Sequence, residues 1–176
     1  MKKGYIQVYT GDGKGKTTAA LGLGMRAAGH GLKVIMIQFM KGTHTGELES
    51  VKKLKPNFEI RRFGETSKFV FLMDEEEKLE LSRVIHEQLK EIFEIMDDNN
   101  CDILILDEIL GCIQAGLVSV NDVLKIMDAR PEGMELVLTG RGLPEEVAER
   151  ADLITEMNAV RHYMDTSVPA RKGIEV

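Results

Sequence analysis

Short apolar runs alternate along the chain with longer stretches in which apolar positions recur every three or four residues. Residues 5–9 read as a first strand and residues 34–39 as a second. Between them, residues 17–30 are rich in Ala, Leu and Met, and Gly29 and Gly31 supply a helix end. Residues 58–63 alternate apolar with polar, which predicts a strand nearer an edge with one face exposed. The spacing over residues 74–100 predicts a long helix. Leu81, Val84, Ile85, Leu89, Ile92, Phe93 and Met96 share its apolar face, Asp74 and Glu77 form a capping box, and Asn99-Asn100 closes it. Residues 101–106, apolar apart from Asp102, predict a strand buried on both faces. Ser119 with Asp122 opens a helix to about Arg130, residues 136–138 form a strand, and residues 144–150 form a short helix with proline near its start. Residues 153–155 are the last strand.

Strands alternating with helices in this way predict an α/β fold, an open, mainly parallel sheet with flanking helices. The whole chain, residues 1–176, reads as a single domain, with residues 158–176 as a C-terminal tail near the site. That tail has little apolar periodicity and many charged residues, a composition that suits either a solvated segment or one folded across a site.

Composition narrows the class. Hydrophobic residues are 43% and charged residues 30%, which excludes a disordered chain. A net charge of −6 argues against a protein that grips a phosphate polymer, so no nucleic-acid partner is expected. No apolar run reaches membrane-spanning length, and the N-terminal residues enter a strand without the apolar core of a signal peptide. Cys101 and Cys112 cannot frame a disulfide scaffold. The expectation is a cytoplasmic protein without a membrane partner.

The chemistry is concentrated at strand ends. Thr10, Gly11, Asp12, Gly13, Lys14, Gly15, Lys16, Thr17 and Thr18 follow a strand and open a helix, the context of a phosphate-binding P-loop. Glycines let backbone N–H groups converge on an anion, and the helix N-terminus adds its dipole. Lys16 can reach a phosphate oxygen and the Thr17 hydroxyl can ligate Mg²⁺. The pattern G-x-x-x-x-G-K-[ST] has glycine where this chain has Thr10. Asp107 and Glu108 end a buried strand, where open α/β sheets bind ligands, and an acid there can hold Mg²⁺. Glu108 also stands where ATPases orient an attacking water, so a small-molecule kinase or ATPase is the default from these motifs alone. Lys41 and Arg141 fall at strand ends on the same side, as phosphate contacts or as surface cations. Residues 40–49 look like an active loop.

These motifs, taken together, resemble the P-loop type ATP:cob(I)alamin (corrinoid) adenosyltransferases. The resemblance spans nearly the whole chain. It rests on residues 10–20, Gln38-Phe39-Met40-Lys41-Gly42, Leu106-Asp107-Glu108, Thr139-Gly140-Arg141-Gly142, residues 151–157 and Ala170-Arg171-Lys172-Gly173-Ile174-Glu175. It implies a RecA-like P-loop NTPase architecture and alkyl transfer rather than phosphoryl transfer. The Co(I) of a reduced corrinoid attacks the ribose 5′-carbon of ATP and displaces triphosphate, giving adenosylcobalamin or a related corrinoid. Carried to this chain, the resemblance assigns residues 10–18, Lys41 and Arg141 to ATP, and Thr17, Glu108 and Asp107 to Mg²⁺ or Mn²⁺. It further implies a homodimer, with a flavoprotein reductase supplying electrons to the corrinoid. Family members often carry Phe-x-Trp after the third strand. This chain has no Trp, and Phe69 and Phe71 are its corrinoid-side candidates. Residues 66–73 are expected either to act as a lid over bound corrinoid or to pack beneath the long helix. His162 reads as tail packing rather than as a cobalt ligand.

Overall fold

A computed structural model describes residues 2–66, 68, 70–98 and 101–175. Six strands, β1 (Ile6–Thr10), β2 (Val34–Phe39), β3 (Phe58–Phe63), β4 (Ile103–Asp107), β5 (Glu135–Thr139) and β6 (Leu153–Glu156), form one sheet. Their order is β3-β2-β4-β5-β1-β6, and every pairing is parallel. The crossovers are α1 (Lys16–Gly29), α2 (Gly46–Lys52), α3 (Glu75–Asp97), α4 (Ile109–Gln114), α5 (Val120–Ala129) and α6 (Glu145–Arg150).

Burial on both faces explains why the central strands read as unbroken apolar runs. Met36, Ile103, Ile105 and Val137 pack with Ala20 and Ala27 of α1 on one face. Ile37, Leu104, Leu106, Leu136 and Leu138 pack with α3, α4, α5 and α6 on the other. β3 is an edge strand, as expected, but neither face is wholly exposed: Phe58 is buried in the core on one face and Phe63 in the core on the other, with Glu59 exposed. β6 forms the opposite edge and all four of its residues are exposed.

The sequence-read capping box of Asp74 with Glu77 forms before α3, and Ser119 with Asp122, read as a helix start, makes a second one before α5. The α3 face differs at two positions. Val84 is 38% exposed, whereas Ile95 is buried. One residue advances about 100° around a helix, which carries Val84 off the stripe centred on Ile85. The expected end at Asn99-Asn100 lies outside the described residues. Residues 40–49 are not all loop, because α2 begins at Gly46, and α4 follows β4 directly. At seven and six residues, neither helix is long enough to show a helical period.

Connections from β1 and β5 cover opposite faces of the sheet, so a crevice opens at the carboxyl ends of the central strands. Each chemistry-bearing segment named above except residues 66–73 leaves a strand at that end or folds back onto it.

Candidate active site

The loop after β1 is shaped by glycines pressed against another part of the chain. Gly11 has φ 96, and a Cβ on Gly11 or Gly13 lies 2.5 or 2.6 Å from the carbonyl oxygen of Met157, just beyond β6. The Gly13 N–H donates to that carbonyl at 2.6 Å, and the Met157 N–H donates to the Thr10 carbonyl at 2.8 Å. The end of β6 therefore buttresses the loop from behind. Thr10, where the general pattern has glycine, closes β1 with its side chain buried. No side chain caps the start of α1, which leaves its first N–H groups for an anion.

Lys16 is 9% exposed, and its ammonium donates to the carbonyls of Gly11 at 2.6 Å and Gly13 at 2.8 Å. Burial and, after it, the Arg141 charge pull its pKa below the ordinary lysine value. Arg141 also reaches the loop, with Nε 3.7 Å from the Asp12 carboxylate and Nη2 donating to the Asp12 carbonyl at 3.3 Å.

Asp107 is fully buried and organises the opposite wall. Its Oδ1 accepts from the hydroxyls of Thr17 and Thr139, each at 2.8 Å. Its Oδ2 accepts from the Lys41 ammonium at 2.7 Å and from the Gln38 amide at 3.4 Å. Glu108 sits in the left-handed region at φ 68, its N–H donating to Thr139 Oγ1 at 2.9 Å. Burial and the neighbouring Asp107 charge push the Glu108 carboxyl above the ordinary range. Thr17 thus meets Asp107 directly, while Glu108 lies beside Gly111.

Lys41 is aimed by its backbone. Met40 has φ 59, a strained value for a non-glycine residue, held by its N–H donating to the Phe63 carbonyl at 2.9 Å. Gly42 then passes so close to Thr66 that a Cβ would stand 2.4 Å from its carbonyl oxygen. Glu47 of α2 accepts from Gln38 Nε2 at 3.0 Å. Burial favours the neutral acid there, but bonds from Gln38, from its own backbone and from Thr45 outweigh it and hold the carboxyl low. Arg62 of β3 braces this side by donating to the Thr43 carbonyl at 2.7 Å and the Thr45 hydroxyl at 2.9 Å.

These walls enclose a cleft of about 820 Å³ lined by Asp12, Lys14, Lys16, Thr17, Thr18, Lys41 and Arg141, among others, a size suited to a nucleotide. Tail residues from His162 to Glu175 line its far side. The structure brings together residues 10–18, Lys41, Asp107, Glu108 and Arg141. Of the corrinoid-side candidates, Phe69 lies outside the described residues, and Phe71 is 80% exposed on the turn Val70–Leu72 and is not among the residues lining the cleft. Val70 and Met73, on either side of it, pack against the main core. The sequence places Gln38, Thr139 and Met157 within motifs and Glu47 and Thr139 at strand ends on the nucleotide side, but assigns none of them a role of its own. A polar Gln38 inside an otherwise apolar strand was the one local signal.

The donor set fits a hard divalent cation. The Thr17 hydroxyl meets one oxygen of the Asp107 carboxylate, and the Lys41 ammonium occupies the other oxygen as a positive stand-in.

The fold is similar to the flagellar accessory protein FlaH from Methanocaldococcus jannaschii, with a TM-score of 0.60 at 14% identity over 89% of this chain and 72% of that one. It is also similar to the KaiC-like protein PH0186 from Pyrococcus horikoshii, with a TM-score of 0.56 at 12% identity over 90% and 74%. Sequence likeness is closer to proteins called corrinoid adenosyltransferase. The one from Escherichia coli K12 is 32% identical, covering 99% of this chain and 86% of its own. That from Pseudomonas aeruginosa is 31% identical, covering 99% and 84%. The family model described as ATP:corrinoid adenosyltransferase BtuR/CobO/CobP matches residues 2–176. The phosphate loop, the acid-ended strand and the C-terminal motif thus fall within one full-length match, and the chain belongs to the ATP:corrinoid adenosyltransferase family.

Proposed function

We propose that this chain transfers the 5′-deoxyadenosyl group of ATP to the Co(I) of a reduced corrinoid. The cobalt electron pair forms the Co–C bond to the ribose 5′-carbon. The C–O bond to the triphosphate breaks, and its electrons leave with the triphosphate oxygen. The observation that carries this reading is the full-length family match together with a phosphate loop whose Thr17 meets Asp107.

Charge on the departing triphosphate is what the site is built to hold. Loop N–H groups and the start of α1 face the phosphates. Lys16 exchanges its bonds to Gly11 and Gly13 for phosphate oxygens, while Arg141 and Lys41 approach from the flanks. Thr17, Asp107 and Glu108 are the residues that would hold Mg²⁺ or Mn²⁺, which when bound neutralises phosphate charge. A homodimer, a flavoprotein reductase as electron source and a cytoplasmic setting belong to the same reading. Among the described residues no helix is long and apolar enough to cross a membrane, and both cysteines are buried and unpaired.

Product analysis tests the reaction. Incubation with ATP, Mg²⁺ and chemically reduced corrinoid is expected to yield the adenosylated corrinoid spectrum and stoichiometric triphosphate. ADP as the main product, with the corrinoid unchanged, would establish a kinase or ATPase instead.

A further inference from the structure

The cleft lining joins polar groups to a smaller set of aliphatic ones, and the aliphatic ones come mostly from one part of the chain. Phosphate-loop residues supply many of the polar groups. Apart from Leu21 of α1, the aliphatic lining is Val168, Pro169, Ala170 and Ile174, all from the tail. Val168 is 37% and Ile174 58% exposed. Their apolar surface faces a cleft rather than a core, and a flat, largely apolar nucleobase would cover it.

The tail is tied to the phosphate loop at one carboxylate. Glu175 Oε1 accepts from Lys14 Nζ at 2.8 Å and from Arg171 Nη2 at 3.0 Å. Glu175 Oε2 accepts from the Arg171 backbone N–H at 2.9 Å and from Arg171 Nε at 3.2 Å. The Arg171 guanidinium lies 4.8 Å over the Tyr163 ring, and Lys14 approaches the same ring at 5.8 Å. One residue of the tail therefore locks a lysine of the loop and an arginine of the tail into a single cluster.

We propose that the tail, residues 162–175, is the wall that receives the nucleoside of ATP, and that Glu175 is the residue that positions it. This rests on the adenosyl-transfer reading and adds a consequence to it. The reaction separates nucleoside from triphosphate, so a wall that contacts only the nucleoside favours substrate over the released triphosphate. Glu175 acts through Lys14 and Arg171 and touches no reacting atom; it is a positioning residue.

The test compares ATP with inorganic tripolyphosphate, which fills the loop but not the wall, by calorimetric titration of the full chain. In Glu175→Ala the ATP dissociation constant is expected to rise about tenfold, with that of tripolyphosphate unchanged or lower because Lys14 loses its counter-ion. Arg171→Ala is expected to do the same, which guards against an effect confined to one variant. In steady-state adenosylation the loss should appear in KM for ATP, with kcat nearly unchanged. Trypsin supplies a readout independent of turnover. In the wild-type protein ATP, and not tripolyphosphate, should protect the bonds after Arg171 and Lys172. Equal weakening of ATP and tripolyphosphate would make Glu175 a support of the loop and overturn the wall. So would equal wild-type affinity for the two ligands. Binding of neither by the wild-type protein would overturn the nucleotide reading itself, and with it this one.

Discussion

Lys16 and Asp107 each hold an internal partner in a position that substrate would claim. The Lys16 ammonium sits on two loop carbonyls, and a charge-assisted bond to phosphate is worth about 1.5–3 kcal/mol. Lys16→Ala is therefore expected to weaken ATP binding about 10- to 150-fold, measured by titration. At the proposed metal site, Thr17 bonds to Asp107. Asp107→Asn should raise the Mg²⁺ concentration for half-maximal activity more than Glu108→Gln does, and a larger effect from Glu108 would reverse the assignment. Glu175 gives a pH prediction. Bonds from Arg171 and then Lys14 lower its pKa to about 2. A lowered carboxylate pKa means the attachment is fully present above the ordinary carboxylate range and is lost as pH falls through about 2. An NMR titration of the Glu175 carboxyl carbon should show that low midpoint, and a midpoint near the ordinary value would mean that the tail stands off the loop in solution.

At the scale of elements, local chemistry was legible wherever it acts over three or four residues. The helix starts at Asp74 and Ser119 could be read because their capping partners are three positions on, and the buried strands because unbroken apolar runs report burial on both faces. Helices α2 and α4 could not, being shorter than two turns and held by what they pack on. Within α3 the periodicity placed six of seven apolar residues correctly and missed Val84. Leu104→Ala in β4, fully buried, should cost about 2–5 kcal/mol in denaturant unfolding. Val84→Ala should stay within about 0.5 kcal/mol. The turn Val70–Leu72 offers a sharper case. Its neighbours Val70 and Met73 anchor it while Phe71 faces outward. Phe71→Ala should leave the melting temperature nearly unchanged and lower the adenosylation rate if this segment meets the corrinoid. An unchanged rate would place the corrinoid surface elsewhere.

At the scale of the molecule, sheet order does what no local pattern can. Placing β5 between β4 and β1 carries Thr17 to Asp107 across 90 positions of sequence and Thr139 to Asp107 across 32. The sequence by itself determined the strand-helix alternation, the phosphate loop and the acids at a strand end, because each is set by neighbours along the chain: periodicity, glycine content and helix starts. The family motifs, too, were legible as strings of residues. Only the tertiary structure decided which acid meets Thr17, because strand register and the left-handed turn at Glu108 aim the two carboxylates apart. It also decided why Gly11 and Gly13 must be glycine, since the group they press against, the Met157 carbonyl, belongs to a strand end far along the chain. Whether the charged tail is solvated or folded back was likewise open in composition. The Lys14–Glu175 pair joins tail to loop across 161 residues, a long-range charge contact that no spacing rule encodes.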